Sequence, residues 1–222
     1  QEYTNLNDFK LKFLKLSKGI DQYFINSYKE ISKAIHNIYD NKKIFHMGYF
    51  GYEKYLYDNV NNWVYISQMD NNFIGPRNLS YQIKKTNNIL GLTKDSELSS
   101  LFRYVGIDAL FINPIKVCAN GDVLAESGTY NCVVLAMAHN IPVICISPKS
   151  VFDIGTMNGS ILSLDELDEE ELLEFSDGSL ENISVFNPKY NMINNEFITE
   201  FITEDGILYP PFEEKIVKAL GD

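Results

Sequence analysis

The sequence predicts an α/β protein in which a parallel sheet, flanked by helices, follows part of an N-terminal helical bundle. Three observations support this prediction. Residues 5–40 carry apolar side chains at helical spacing, residues 42–147 alternate short apolar runs with helical segments, and 222 residues suffice for one sizeable core. Because a repeated strand and helix order builds parallel sheets, we assign residues 1–41 to the helical domain and residues 42–222 to the α/β domain.

The first element is a helix over residues 5–40. Its apolar face consists of Leu6, Phe9, Phe13, Leu16, Ile20, Phe24, Tyr28, Ile31 and Ile35. Gly19 is expected to break or bend this helix, because glycine lowers helix propensity. The stripe is too apolar for a solvated helix and therefore indicates the end of a helical bundle. Since the chain begins at Gln1 rather than Met, we expect it to be a piece of a longer protein.

Short strands and helices then alternate. Strands are predicted at 43–47, 63–69, 89–93, 108–112 and 142–147, with helices at 52–57, 77–85, 96–103 and 130–138. Residues 117–123 are expected to form a turn, and the acidic run at 163–175 a solvated loop or helix. Residues 190–209 are expected to form a loop, a short helix and a strand. A final helix is predicted at 213–220.

Composition excludes several classes of protein. The net charge of -11 argues against a nucleic-acid or anionic-membrane surface. The longest apolar runs are too short to span a membrane. Cys118, Cys132 and Cys145 lie in apolar surroundings without metal-ligand spacing, which is typical of buried thiols in a reducing cytoplasm.

One stretch has the pattern of an anion-binding loop. Asn120, Gly121 and Asp122 form a tight turn after a strand, and Gly128 with Thr129 begins a helix whose amides face the strand ends. Arg77 and Lys149 follow other strands and are candidate clamps for a phosphate. The alternative is that the glycine and threonine residues only shape the turn and cap the helix.

Two segments carry a family resemblance. Residues 108–152, with ANGDV, SGT and PKSVFD, and the tail PKYNMINNEFITEFITEDGIL resemble a family with two branches. One branch is the regulatory subunits of eukaryotic translation initiation factor 2B. The other is the isomerases of ribose bisphosphate and methylthioribose phosphate. The resemblance covers residues 42–222 and implies a Rossmann-like domain similar to NagB, RpiA and CoA transferases.

The resemblance to the isomerases fails at three positions. Where those enzymes carry a cysteine after the first strand, this chain has Gly48. Where they carry an aspartate before the NGD turn, it has Ile115. Where they carry a lysine after it, Glu126 stands, whose charge repels a phosphate. Because isomerisation requires a group that moves protons, these losses predict a scaffold without catalysis.

We therefore predict a non-catalytic regulatory subunit of the initiation factor 2B guanine-nucleotide exchange complex, without a cofactor. The loop IFHMGYF and the acidic insertion most resemble the beta subunit. The resemblance then implies alpha, delta, gamma and epsilon subunits and initiation factor 2 as partners, or a homodimer in isolation. The interface candidates are Phe197, Phe201, Ile207 and Tyr209.

Two alternatives remain open. The chain is either a divergent sugar-phosphate isomerase that uses His46 or Asp122 as its base, or a sensor that binds a sugar or nucleotide phosphate. A ligand that stabilises the native protein against heat would favour the sensor.

Overall fold

The computed structural model describes residues 6–68, 74–162, 165–166 and 184–220. The elements from the N-terminus are α1 (Leu6–Tyr39), β1 (Lys43–Met47), α2 (Glu53–Leu56), β2 (Trp63–Gln68), α3 (Ile74–Ile83), β3 (Ile89–Lys94), α4 (Leu98–Leu101), β4 (Ala109–Ile112), β5 (Lys116–Cys118) and β6 (Val123–Glu126). They continue with α5 (Thr129–Ala138), β7 (Val143–Ile146), β8 (Phe152–Asp153), β9 (Tyr190–Ile193), β10 (Glu200–Thr203), β11 (Gly206–Leu208) and α6 (Glu213–Leu220). Within these ranges no helix is long and apolar enough to cross a membrane.

The main sheet has seven strands in the order β11-β10-β7-β4-β1-β2-β3. All neighbours pair in parallel except β11, which is antiparallel to β10. From β1 the chain moves outward to β2 and β3, then returns to β4 and moves the other way to β7 and β10. The order therefore reverses between β1 and β4, where ligands bind in open α/β sheets. This confirms the predicted fold class.

Each face of the main sheet covers its own core, because alternate residues of a strand point to opposite faces. Ile44, Phe111 and Ile202 face a core formed with α1, α2 and α3. Phe45, Leu110 and Phe201 face the other core, which includes α4, α5 and α6. All six of these side chains are fully buried.

The two halves of α1 have different surroundings. The second half buries Tyr28, Ile31 and Ile35 against the sheet. Two carboxylates at β10 hold it. The Tyr39 hydroxyl donates to Glu200 at 2.8 Å, and the hydroxyls of Tyr23 and Ser27 donate to Glu204 at 2.8 and 3.0 Å.

The first half of α1 has an exposed apolar face. Phe9, Phe13 and Leu16 are 45%, 61% and 64% exposed. The predicted break at Gly19 is wrong, since α1 is continuous. A mid-helix glycine costs only about 1 kcal/mol, which the docked second half outweighs.

A second sheet has the order β8-β5-β6-β9. β5 and β6 form a hairpin in which Val117 pairs with Val123, where the sequence predicted only a turn. β9 pairs with β6, where a loop was predicted. Strands of two to four residues have no local signal and form only because a partner is present. The acidic run at 163–175 lies outside the described residues, apart from positions 165–166.

Candidate active site

The carboxyl ends of β1, β2 and β4 bring together a group of polar side chains. His46 lies within β1, Ser67 within β2, and Asn113 directly after β4. All three are buried. His46 and Asn113 lie where the strand order reverses, and Ser67 lies one strand further out, so this edge of the sheet is the expected place for a ligand.

Glu53 is the centre of this group. Its Oε1 accepts hydrogen bonds from the amide of Phe50 and, at 3.0 Å, from Asn113 Nδ2, while Oε2 accepts from the amide of Gly51 at 2.9 Å. Burial raises its pKa to about 7, the hydrogen bonds from backbone amides oppose this, and the charge of Glu126 raises the pKa further. Glu53 therefore titrates near neutral pH, in the range suited to acid–base chemistry.

His46 is held between two partners. Its Nδ1 lies 2.6 Å from the Tyr57 hydroxyl and its Nε2 lies 3.2 Å from Asn113 Nδ2. Burial lowers the pKa of His46 to about 3, although a hydrogen bond with Gly48 opposes the shift. The ring is therefore neutral at pH 7. Because both nitrogens are engaged, the prediction of His46 as a base is not supported.

A small cavity opens beside these residues. Its volume is about 10 Å³, the space of one water molecule. The lining residues are His46, Gly48, Tyr49, Ile66, Ser67, Gly75, Pro76, Leu79 and Glu126. Among the described residues, neither Ser67 Oγ nor Asn113 Oδ1 has a hydrogen-bond partner. Buried polar atoms of this kind are normally satisfied by water or by a ligand.

The backbone explains why Gly48 stands at this edge. Its φ is +85°, a left-handed conformation that a residue with a Cβ adopts only with strain. A Cβ there would also lie 3.1 Å from the Asn113 Cβ. The loop after β1 can thus approach β4 closely, which brings Asn113 within reach of Glu53.

The NGD turn has a different environment. Asp122 accepts hydrogen bonds from Asn120 Nδ2 at 2.9 Å, from the Gly159 amide at 2.9 Å, and from the amide and Nδ2 of Asn195 at 2.9 and 3.2 Å. Partial burial alone would raise the pKa of Asp122, but these hydrogen bonds outweigh it and lower the pKa. Asp122 is therefore a clamp between loops, and its use as a base is not supported.

A cavity of about 600 Å³ lies beside this turn. It is lined by Asn120, Asp122, Asn158, Gly159, Ser160, Leu162, Met192, Asn194, Asn195 and Glu196. Gly121 has a φ of +91° and packs against Phe212. The NGD turn and Gly121 thus agree with the alternative that these residues shape a turn and do not bind an anion.

The predicted phosphate clamp does not form. Arg77 is exposed in the first turn of α3, next to β2. Lys149 instead pairs with Asp205 at 2.7 Å, and its amide donates to Glu204 at the end of β10. Three strands separate β2 from β10, a distance of about 19 Å across the sheet. One phosphate cannot bridge the two cations.

The start of α5 is partly occupied by protein. Gly128 has a φ of +85° at the N-cap, and Thr129 is buried. The amide of Tyr130 donates to Asn191 Oδ1 at 3.2 Å. A side chain of β9 therefore satisfies one of the amides that were predicted to face an anion.

The interface candidates separate into core and surface residues. Phe201 is completely buried, so it is a core residue and its prediction as an interface residue is wrong. Phe197 and Ile207 are partly buried against the two cores, whereas Tyr209 is 49% exposed. Ile115 is exposed and its amide donates to the Leu124 carbonyl at 2.8 Å. The predicted subunit partners stay predictions.

Solved structures share this fold. Subunit delta of translation initiation factor eIF-2B from A. fulgidus matches with a TM-score of 0.83 and 19% identity, over 99% of this chain and 69% of that chain. The 5-methylthioribose 1-phosphate isomerase of Pyrococcus horikoshii OT3 matches with a TM-score of 0.72 and 20% identity, over 86% and 58%. The eIF2B beta of Chaetomium thermophilum matches with a TM-score of 0.63 and 10% identity, over 97% and 63%. At these identities the matches show the fold alone.

Curated relatives are enzymes. The methylthioribose-1-phosphate isomerase of Desulforudis audaxviator is 34% identical over 149 residues, which are 66% of this chain and 43% of the relative. That of Thermosipho melanesiensis is 33% identical over 146 residues, 65% and 42%. The chain thus spans less than half the length of these relatives. They contradict the predictions of a non-catalytic regulatory subunit, of a translation exchange factor and of a chain that is not an enzyme.

A match to a family model shows the family of this chain independently of the individual relatives. The model of the initiation factor 2 subunit family matches residues 64–210, well over half of the chain. This confirms the family resemblance predicted from the ANGDV and SGT segments, while the beta-subunit assignment stays a prediction. The chain belongs to the initiation factor 2 subunit family.

Proposed function

We propose that this chain is the core domain of an isomerase that converts a ribose-type 1-phosphate to the corresponding ketose phosphate. The relatives named above support this proposal, together with a 5-deoxyribose 1-phosphate isomerase of Moorella thermoacetica that is 28% identical over 149 residues, which are 66% of this chain and 42% of the relative. We also propose a cytoplasmic location, since all three cysteines are free thiols.

The observation that carries the proposal is the cavity between β1 and β2. It unites Gly48 and Glu126, two positions that the resemblance assigns to substrate chemistry, with the unpartnered hydroxyl of Ser67. A sugar presents several hydroxyls, each a donor and an acceptor. Such a ligand satisfies buried polar atoms that protein neighbours leave unpaired.

The cavity has two ends of opposite polarity. Gly75 and Pro76 bring the first turn of α3 to one wall, and a helix N-terminus favours an anion. Arg77 lies in the same turn. Glu126 lies on the wall as well and repels a phosphate. The phosphate therefore belongs at α3, and the sugar carbons belong near Glu126.

The size of the cavity sets a condition on binding. About 10 Å³ accommodates a water molecule and not a sugar phosphate. The first turn of α3 must therefore move away from the ends of β1 and β2 when substrate binds. Conformational steps of this kind accompany catalysis in many enzymes.

A turnover assay tests the proposed function. The protein is incubated with methylthioribose 1-phosphate and, separately, 5-deoxyribose 1-phosphate, and ketose phosphate is followed by ³¹P and ¹H NMR. Ribose 5-phosphate serves as a control ligand, because its phosphate is on the opposite end of the sugar. Conversion of either 1-phosphate supports the proposal. A folded protein that leaves both unchanged at stoichiometric concentration contradicts it.

A further inference from the structure

The proposed isomerase lacks the proton-transfer groups of the enzymes that it resembles. Gly48 has no side chain and Ile115 has only an apolar one. Aldose to ketose conversion nevertheless requires that a proton leave one carbon and that one arrive at its neighbour. The following inference rests on the proposed function and concerns which residue replaces them.

The residues that line the cavity leave two candidates for the group that moves the proton. His46 and Glu126 are the lining side chains that ordinarily titrate below pH 7. His46 is fully buried, neutral, and bound through both nitrogens to Tyr57 and Asn113. Glu126 is only partly buried, at the carboxyl end of β6, and reaches the cavity directly. Its carboxylate is therefore the group that a substrate in this cavity would contact.

We propose that Glu126 is the catalytic base of this chain, placed against the substrate at the position where related isomerases carry a cation. Glu53 and Asn113 are positioning residues, since Asn113 links the Glu53 carboxylate to the His46 ring that forms the neighbouring wall. A carboxylate at this place explains how a chain without the cysteine and the aspartate can retain the reaction.

A second observation points to a ligand at the same place. Ser67 is 3% exposed, lines the cavity, and its Oγ has no partner among the described residues. A buried hydroxyl without a partner is destabilising, because its lost hydrogen bonds to water are not replaced. A sugar hydroxyl above β2 would satisfy Ser67 while the adjoining carbon lies near Glu126.

The reaction step balances without a redox partner. The bond between C1 and the ring oxygen O4 breaks, and O4 takes a proton from water. Glu126 accepts the proton from C2, and the electron pair of that C–H bond forms a C1=C2 double bond. The proton on Glu126, which is partly exposed, exchanges with solvent. The O2–H proton then leaves to water, O2 becomes a carbonyl oxygen, and C1 takes this solvent-derived proton from Glu126. The product is a 2-ketose 1-phosphate.

Three variants in D₂O test this proposal. Glu126→Gln should lower turnover about 100-fold to 10,000-fold, the usual contribution of a positioned base. Glu126→Asp should retain part of the activity with KM nearly unchanged, and it is the variant to use if the glutamine form does not fold. Glu214→Gln, an exposed residue of α6, serves as the control and should match the wild type. Substrate-induced thermal shifts should be retained in all three.

Incorporation of solvent deuterium into the product distinguishes Glu126 as a catalytic base from Glu126 as a residue with only a structural role. With Glu126 as the base, product formed in D₂O carries solvent deuterium at C1. Wild-type turnover together with activity of Glu126→Gln within threefold of the wild type overturns the role of Glu126 alone. Product free of deuterium also overturns it, because a direct hydride shift requires no base. A wild type without turnover overturns the proposed function as well.

Discussion

Two cavities of this domain differ in size and in chemistry. The cavity beside the NGD turn measures about 600 Å³, and the one beside β1 measures about 10 Å³. In the larger cavity, the Asp122 carboxylate accepts hydrogen bonds from three residues. In the smaller, Ser67 Oγ lacks a partner within the described residues, and the neighbouring Glu53 titrates near pH 7.

The comparison shows that the volume of a cavity does not by itself indicate where acid–base chemistry can occur. At Asp122 the hydrogen bonds outweigh partial burial and lower the pKa, so this carboxylate fixes loops. At Glu53, burial outweighs the hydrogen bonds and raises the pKa to about 7. This carboxyl group can therefore gain or lose a proton near neutral pH. Stability measurements distinguish these two roles.

The largest expected effect is a pH dependence caused by Glu53. Its pKa is about 7 in the folded protein, against an ordinary value of 4.5. Between these values the folded state keeps a proton that the unfolded chain has lost. The free energy of unfolding should therefore fall by about 3 kcal/mol as the pH rises from about 4.5 to about 7. Urea unfolding across this pH range measures the fall.

Glu53→Gln should remove this part of the slope, whatever its effect on absolute stability, because glutamine does not titrate. Glu214→Gln should keep the wild-type slope, since Glu214 is exposed. An unchanged slope in the Glu53 variant would show that Glu53 has the same pKa in the folded and unfolded protein, and the chemical difference between the two cavities would then not exist.

The next effect concerns the clamp at the larger cavity. Asp122→Ala removes the acceptor of the Asn120, Gly159 and Asn195 donors, and should lower the free energy of unfolding by about 2–3 kcal/mol. Asp205→Ala is the control, because its ion pair with Lys149 is exposed and should contribute less than about 1 kcal/mol. Equal losses of unfolding free energy in the two variants would show that Asp122 stabilises the fold no more than an exposed ion pair does.

The smallest effect tests the close approach of Gly48 to Asn113. Gly48→Ala should cost about 1–2 kcal/mol for its positive φ, plus a further amount for the Cβ contact at 3.1 Å. Gly106→Ala isolates the first contribution, since Gly106 has a φ of +73° and open space around it. Thermal unfolding should rank Gly48→Ala as the less stable variant. The reverse order would mean that Asn113 moves aside freely.

Local periodicity predicted most of the fold. The bounds of β1 and α6 agree with prediction, because apolar spacing within one segment determines them. The second sheet was missed, since β5, β6, β8 and β9 are stabilised by one another and not by their own sequences. Phe201 was assigned to an interface for the same reason, because nothing local indicates that β10 lies inside the sheet.

The candidate site was only partly predictable. Gly48 and Glu126 were found through the family resemblance, whereas Ser67 and Asn113 reach the same edge of the sheet only when β2, β1 and β4 align. A signal for Glu53 was available in the sequence YFGYEKYLY, where a single acid stands among aromatic residues. A carboxyl group in such surroundings is desolvated, which raises its pKa even where backbone amides donate to it.

The docking of α1 on β10 has a consequence for synthesis on the ribosome. The hydroxyl to carboxylate contacts of Tyr39 and Tyr23 join residues 161 and 181 positions apart in the chain. At about 5–20 residues per second, α1 leaves the ribosome roughly 8–30 s before its partner strand exists. During that interval α1 lacks the two carboxylates that accept hydrogen bonds from Tyr23, Ser27 and Tyr39. Translation speed between α1 and β10 thus sets how long α1 remains without these contacts.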